Sequence, residues 1–297
     1  MAACRSLLAS YLLMVISLEV GCTSNSSGLR GGESVPRVSG SSFAAHDMNG
    51  VSGGRDDHDN LWRAIVRIYS GVGTCSGVLI APRTVLTAAH CFCSVTKAAF
   101  NRSSCVKKAT VISPFYLYRP EEKGWKPIAE SSPGNVIVHE SFTSQLDSQG
   151  FVDPDKRVAD LAIVTLDHEL NGIAPDVLLR KQEVSKGDEL IVIGYGSTKH
   201  EANDGGLRRF GTNKVSTIRT LSDRAGREFR FNDSGAHTHE GDSGGPALFL
   251  DDNGKRWLVG INGGYSDTEP QSWFTSTASY YDWITAQLEK ARQPRAP

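Results

Sequence analysis

From Leu61 onward, short apolar runs alternate with clusters of Gly, Pro, Asn and Asp. The runs at 64–69, 77–80, 135–138, 161–166, 190–193 and 257–261 are rich in Val, Ile and Leu. Runs this short, bounded by turn formers, predict β-strands, and so many of them predict an all-β barrel or sandwich. A helical period appears only near the end, where Tyr281, Ile284, Leu288 and Ala291 recur at spacings of three and four. Asp282, Gln287, Glu289 and Lys290 lie between them, which predicts one amphipathic C-terminal helix against a β body. The chain shows no internal repeat. Between Cys93 and about Asn135 lies an insertion-like stretch with Phe115, Tyr116, Tyr118 and Trp125, expected to cover the first half of the fold.

The first 50 residues break the strand pattern. In residues 1–22, Arg5 precedes an apolar stretch from Leu7 to Leu18, too short to cross a bilayer as a helix. This reads as a signal peptide. Its end at Gly21-Cys22 resembles a bacterial lipoprotein signal, in which Cys22 becomes the lipidated first residue, although Glu19 stands where an apolar residue is usual. The alternative is an ordinary cleaved signal. Either predicts export, to the cell envelope or the extracellular medium, with a membrane contacted only through the lipid. Residues 23–50 are rich in Ser and Gly without an apolar period and read as a tether or pro-segment.

Composition narrows the classes. Of 297 residues, 39% are apolar, and 32 Lys and Arg oppose 33 Asp and Glu. That excludes a disordered chain and a multi-span membrane protein, and gives no electrostatic footprint for nucleic acid. The length fits one large two-part domain or two domains. Two of the six cysteines, Cys4 and Cys22, fall in the leader. The other four, Cys75, Cys91, Cys93 and Cys105, are an even number suited to two disulfides in an oxidising compartment. Three pairings are open. No downstream Cys or His pair accompanies Cys91 and Cys93 at zinc-ligand spacing, so neither a metal nor a cofactor is expected.

The chemistry concentrates in three places. Gly241-Asp242-Ser243-Gly244-Gly245-Pro246 places glycines around a serine, freeing the backbone to aim N–H groups at a substrate carbonyl. Its chance occurrence in a chain of this length is on the order of 10⁻⁵. Thr87-Ala88-Ala89-His90-Cys91 sets small residues before a histidine, and Asp160 opens the apolar run to Leu166. A lone histidine or a strand-end aspartate is ordinarily structural. Together, in the order His, Asp, Ser, they match one chain order of the catalytic triad.

On Thr87 to Cys91, Asp160-Leu161-Ala162, Gly194-Tyr195-Gly196 and Gly241 to Pro246, the chain resembles the chymotrypsin/trypsin family of serine proteases from about Val51 to the terminal helix. The resemblance implies an all-β fold of two antiparallel six-stranded β-barrels with a C-terminal helix, at 51–178 and 179–297. It implies a serine endopeptidase acting on protein or peptide substrates, with Ser243 as nucleophile, His90 as general base and acid, and Asp160 orienting His90. The N–H groups of Gly241 and Ser243 form its oxyanion hole. It also implies a Cys75–Cys91 bridge across the histidine loop and a Cys93–Cys105 pair. A monomer is expected. An α/β-hydrolase esterase would also use G-x-S-x-G, but its histidine must follow the serine, and all eight histidines here precede Ser243. The other class weighed is a catalytically silent homologue serving as a binding module; the complete set of three triad residues speaks against it.

Two further expectations follow from the resemblance. Val51-Ser52-Gly53-Gly54 is similar to the family's mature amino terminus, with Ser52 where valine is usual. Cleavage of Gly50–Val51 by an activating protease would free an α-amine to pair with Asp242; Arg37–Val38 lies too far upstream. The specificity pocket would draw on His237, Thr238, Gly263, Tyr265 and Ser272. No acid occupies the floor at His237, so a Lys or Arg preference is not expected, and an acidic or polar side chain fits better. His239 stands where the family has a bridging cysteine. Ligation of a metal by His237-Thr238-His239-Glu240 ranks below a pocket role for want of a remote third ligand.

Overall fold

Strands form where alternate side chains find a shared interior. In the computed structural model, residues 51–293 are described except 97–98, 101, 147, 149–151, 200–201, 203, 222–225, 233–234 and 267–269. The chain divides into Met1–Val38 and a main unit, Ser39–Pro297. The expected leader with Cys22 and the tether at 23–50 lie outside the described residues.

Six strands close the first barrel. They are β1 (Ile65–Tyr69), β2 (Thr74–Ala81), β3 (Thr84–Thr87), β4 (Lys108–Arg119), β5 (Gly124–Val138) and β6 (Ala162–Leu166). Their order is β6-β3-β2-β1-β4-β5, and β5 closes on β6 from Ala162↔Val138 to Leu166↔Gly134. Ile65, Ile68, Val78, Leu79, Val85, Leu86, Val111 and Val164 are fully buried, the consecutive pairs 78–79 and 85–86 showing that these strands are covered on both faces. The insertion-like stretch is the β4–β5 hairpin, paired without a break from Lys108↔Asn135 to Arg119↔Gly124. Tyr116 is buried in its outer half, opposite Pro127, while Tyr118 and Trp125 are exposed near the tip, Trp125 stacked 4.6 Å from His58.

The second half is one sheet. It contains β7 (Glu189–Gly194), β8 (Arg209–Lys214), β9 (Thr217–Thr220), β10 (Arg227–Phe231), β11 (Pro246–Leu250), β12 (Arg256–Tyr265) and β13 (Ser272–Ser276). The path runs from Arg55–Asp56 through β8-β7-β11-β12-β13-β10 to β9, all antiparallel. Among the described residues, hydrogen bonding closes only the first barrel. Helix α1 (Tyr281–Arg292) buries Ile284, Gln287 and Leu288. Its buried stripe therefore includes Gln287, whereas Tyr281 and Ala291 are half-buried. One apolar cluster runs from Ile65 and Leu86 through Ile193 and Ile261 to Ile284 of the helix, so the halves share a core.

An ion pair sits at the seam. Asp57 and Arg208 are both fully buried, with Nε 2.6 Å from Oδ2. Asp57 also accepts from Leu61 N and Trp62 N at 2.8 and 3.1 Å. Arg208 donates to Pro114 O of β4 at 3.1 Å, and its N–H donates to Tyr116 Oη at 2.7 Å. One guanidinium thus ties the second sheet to the β4–β5 hairpin. Removing one partner strands a charge in low dielectric, which typically costs about 3–5 kcal/mol. Arg208→Met is expected to lose stability in that range by urea unfolding; a loss under about 1 kcal/mol would show that the pair is dispensable.

Candidate active site

The serine turn is shaped by what it presses against. Gly241 and Gly244 have φ of +95° and +81°, values that disfavour any side chain. A Cβ at Gly244 would collide with Thr87 Oγ1 and Ser76 O, so the turn lies directly on the first barrel. Ser76 of β2 clamps it there. Its N–H donates to Ser243 O at 2.8 Å, and its Oγ donates to Gly241 O at 2.9 Å while accepting from Tyr195 N at 3.0 Å. The N–H groups of Gly241 and Ser243 have no protein acceptor among the described residues.

The histidine loop meets this turn. Strand β3 ends at Thr87, Ala88 and Ala89 are fully buried, and His90 sits in a short 3-10 turn, Ala89–Phe92. Cys91 is bonded to Cys75 of β2, and Cys93 to Cys105. The Cys91 sulfur lies 3.7 Å from Ser243 O. A His90 ring nitrogen, Cys75 Sγ and Cys91 Sγ all fall within 4.8 Å of one another. Both sulfurs are spent in the disulfide, so this trio offers no thiolate to a metal. Ser243 Oγ makes no hydrogen bond to His90 among the described residues.

Asp160 is fully buried and faces the same histidine. Its Oδ2 is 2.7 Å from His90 Nδ1, and its Oδ1 accepts from His90 N at 2.9 Å. Arg157 Nη1 lies 3.2 Å from Oδ2. Burial alone would push this carboxyl up, but the His90 ring, the Arg157 guanidinium and the two hydrogen bonds outweigh it, leaving the group below the ordinary carboxylate value. The approach to Asp160 is bent. Ala159 has φ +49°, and its N–H donates to Tyr280 Oη just before helix α1 at 3.1 Å. The helix thereby fixes the entry of the aspartate.

Asp242 meets a different environment. It too is fully buried, and accepts from Gly196 N at 2.7 Å and His239 N at 2.9 Å. A Cβ at Gly194 or Gly196 would strike its carboxylate, which explains Gly194-Tyr195-Gly196. No cation is in ion-pair contact with it among the described residues. Burial raises its carboxyl to about 7, against the lowering effect of the two N–H donors and the more distant Arg209. Val51 is 1% exposed among Val184, Leu190 and Val192, with φ +32°, a strained value for a β-branched residue. Ser52 O accepts from His237 N at 2.8 Å.

The expected pocket residues gather around Ser272. The His237 ring lies between Ser272 Oγ and Asn213 Nδ2, each 3.4 Å away. Thr238 donates from N to Ser272 Oγ at 2.9 Å and from Oγ1 to Asn262 Oδ1 at 3.3 Å. Tyr265 is paired with Ser272 across β12 and β13, its ring tilted against His239 with centroids 4.8 Å apart. Gly263 lies between Arg157 and Trp273. Sequence reasoning placed Asn262 in the pocket wall, within 260–265, and missed Ser76, Arg157, Asn213 and Trp273. Ser76 carried a faint signal, following Cys75 in the strand opposite the histidine loop; the others carried none.

The family model described as Trypsin matches residues 51–284. Transmembrane protease serine 11C from Mus musculus is 25% identical over 82% of this chain and 54% of its own length. Kallikrein-2 from Homo sapiens is 26% identical over 64% of this chain and 61% of its own length. The chain thus spans just over half the length of these two curated relatives. Among solved structures, GrC superposes with TM-score 0.57 at 23% identity, over 80% of this chain and 99% of that one. Human heparin binding protein gives 0.54 at 23%, over 82% and 99%. These likenesses show a trypsin-like fold, mostly β with one C-terminal helix.

The raised carboxyl of Asp242 has a testable sign. Between about pH 4 and 7 the folded, uncleaved chain holds a proton there that the unfolded chain releases, so this residue's stabilising contribution falls as pH rises. The full effect is on the order of 4 kcal/mol. In uncleaved protein carrying Ser243→Ala, Asp242→Asn is expected to gain on its parent by roughly 5 °C or more in Tm between pH 5 and pH 8. A Tm difference that stays constant across that window contradicts the assignment.

Proposed function

The chain belongs to the trypsin family of serine proteases, and on that premise we propose that it is an endopeptidase working through Ser243, His90 and Asp160. A serine hydroxyl is a weak nucleophile until a neighbouring base takes its proton. In this reading His90 Nε2 takes the Ser243 Oγ proton as Oγ bonds to the scissile carbonyl carbon. The displaced electron pair settles on the carbonyl oxygen, facing the N–H groups of Gly241 and Ser243. The C–N bond then breaks as His90 returns the proton to the leaving amine, and water releases the acyl group by the same steps. The observation that carries the reading is the double hold on His90, through ring and backbone, by the fully buried carboxylate of Asp160. Such a hold sets the tautomer that leaves Nε2 free to accept. The unoccupied N–H groups of Gly241 and Ser243 suit an oxyanion hole. The missing Ser243–His90 hydrogen bond is compatible with this reading, because such contacts are often long before substrate arrives.

Processing at Gly50–Val51 by an activating protease belongs to the same proposal. Asp242 is a buried carboxylate without an ion-pair partner among the described residues, and Val51 is buried under backbone strain on the order of 1–3 kcal/mol. Cutting the bond removes the constraint on φ and supplies an α-amine, the cation that Asp242 lacks. Formation of that pair would set the turn carrying Gly241 and Ser243. Export as a secreted or lipid-anchored monomer, with Cys22 as the lipid site, completes the reading. Among the described residues, no helix is long and apolar enough to cross a membrane.

Protein sequenced as starting at Val51 is expected to take up a fluorophosphonate probe at Ser243, with Ser243→Ala unlabelled and the uncleaved chain labelled at least about tenfold more slowly. Absence of labelling in the processed wild type would establish the silent homologue. Full labelling of protein that begins upstream of Val51 would remove the activation step and leave the peptidase.

A further inference from the structure

Three buried hydrogen-bond donors without acceptors surround Gly263 and Gly264 of β12. Arg157 is 5% exposed, and neither its Nε nor its Nη1 donates a hydrogen bond among the described residues. Trp273 of β13 is 7% exposed, and its indole Nε1 is equally unsatisfied. Asn262 is 1% exposed; its Oδ1 accepts from Gly264 N at 3.0 Å and from Thr238 Oγ1, so the amide is oriented, and its Nδ2 is left without an acceptor. The two glycines are the common centre. A Cβ at Gly263 would lie 3.0 Å from Arg157 Nη1 and 3.5 Å from Trp273 Nε1, and one at Gly264 2.9 Å from Trp273 Nε1. Asn262 is the residue before them.

An unsatisfied buried donor costs about 1–3 kcal/mol, and more when it is charged. Native proteins seldom tolerate one, let alone three around one dipeptide, unless a ligand completes them. All are donors, so the missing group is an acceptor. Asp160 faces only Nη1 of Arg157, at 3.2 Å, and leaves Nε of the guanidinium unmet, while Glu228 is taken by Arg230 at 2.7 Å and Arg219 at 3.8 Å; an acceptor that also suits the guanidinium is a carboxylate. Arg157 is also three residues from Asp160, which places the cluster beside the reaction centre. We infer that Arg157, Asn262 and Trp273 form a carboxylate-binding subsite that selects peptides carrying Asp or Glu close to the scissile bond. This rests on the peptidase reading above and deepens it by naming the substrate class.

The test uses full-length protein processed at Val51 and a peptide library in which Asp or Glu is compared with Asn or Gln at each of three positions on either side of the cleaved bond. One position is expected to favour the acid by about ten- to a hundredfold in kcat/KM, the worth of one charge-assisted hydrogen bond. Arg157→Gln should bring that ratio to within about twofold of unity, and Arg157→Lys should keep part of it. Trp273→Phe, which removes only one N–H from the cluster, should lower it several-fold. Because each ratio is taken within one enzyme, any general loss from disturbing Asp160 cancels. Wild type that cleaves peptides without an acidic preference, or a preference unchanged in both Arg157→Gln and Trp273→Phe, overturns the subsite and leaves the peptidase standing. Wild type that neither labels at Ser243 nor cleaves any peptide brings down the peptidase and this subsite together.

Discussion

A carboxylate removed from water must have its lone pairs met by the protein, and Asp160 is where this chain meets that demand most fully. Its two oxygens are shared among His90 N, His90 Nδ1 and Arg157 Nη1, with no solvent access. His90 is 70 residues away in the chain, so nothing local brings it to Asp160. The histidine loop must leave β3 at Thr87 and be pinned through Cys91 to β2, and the aspartate must be turned inward through Ala159, held by Tyr280. Helix α1, remote in sequence, is thus part of what aims the base.

Among the described residues, three acids are no more than 1% exposed, and each is treated differently. Asp57 has a full cation, Arg208, and the pair functions as a rivet between the halves. Asp160 has a titratable ring and a guanidinium and stays ionised. Asp242 has only backbone N–H donors, and its charge is disfavoured. The first is structural, the second orients a side chain, and the third lacks a cation. Under the proposed activation, that incompleteness is what would let one local covalent change reset a turn, because a buried unpaired charge is expensive in every conformation that lacks its partner.

Much of this was legible in the chain. The strands were visible because strands buried on both faces take consecutive Val, Ile and Leu, and each apolar run named above lies in a strand to within one residue. The serine turn was visible because Gly241 and Gly244 need positive φ and Gly244 has no space for a methyl, so only glycine serves. The histidine and aspartate emerged through their order relative to the serine. The rest was invisible for a physical reason. Ser76 and Asn213 act through one hydroxyl or amide whose partner is set by register between strands far apart in sequence. Arg157 reads as an ordinary charged residue in a stretch of Asp, Pro and Lys, and only packing reveals that it is buried. Gln287 likewise reads as surface until the helix docks.

Arg157 links the two levels of the site. One guanidinium has several N–H donors in a fixed fork, so it can face Asp160 with Nη1 and still present Nε elsewhere. A substrate carboxylate in the same cluster would draw on that cation, and repulsion from Asp160 sets the limit to its binding. Asp160 is nevertheless the better buffered of the two, since His90 holds both of its oxygens independently of Arg157. On the proposed mechanism the His90 ring becomes a cation during acyl transfer, which would offset the negative charge of Asp160 at the moment the oxyanion forms. An acidic substrate is therefore tolerated most in the transition state, when the ring carries its proton, and less in the ground state. By that asymmetry the selection for a carboxylate falls on kcat more than on KM, as differential binding requires.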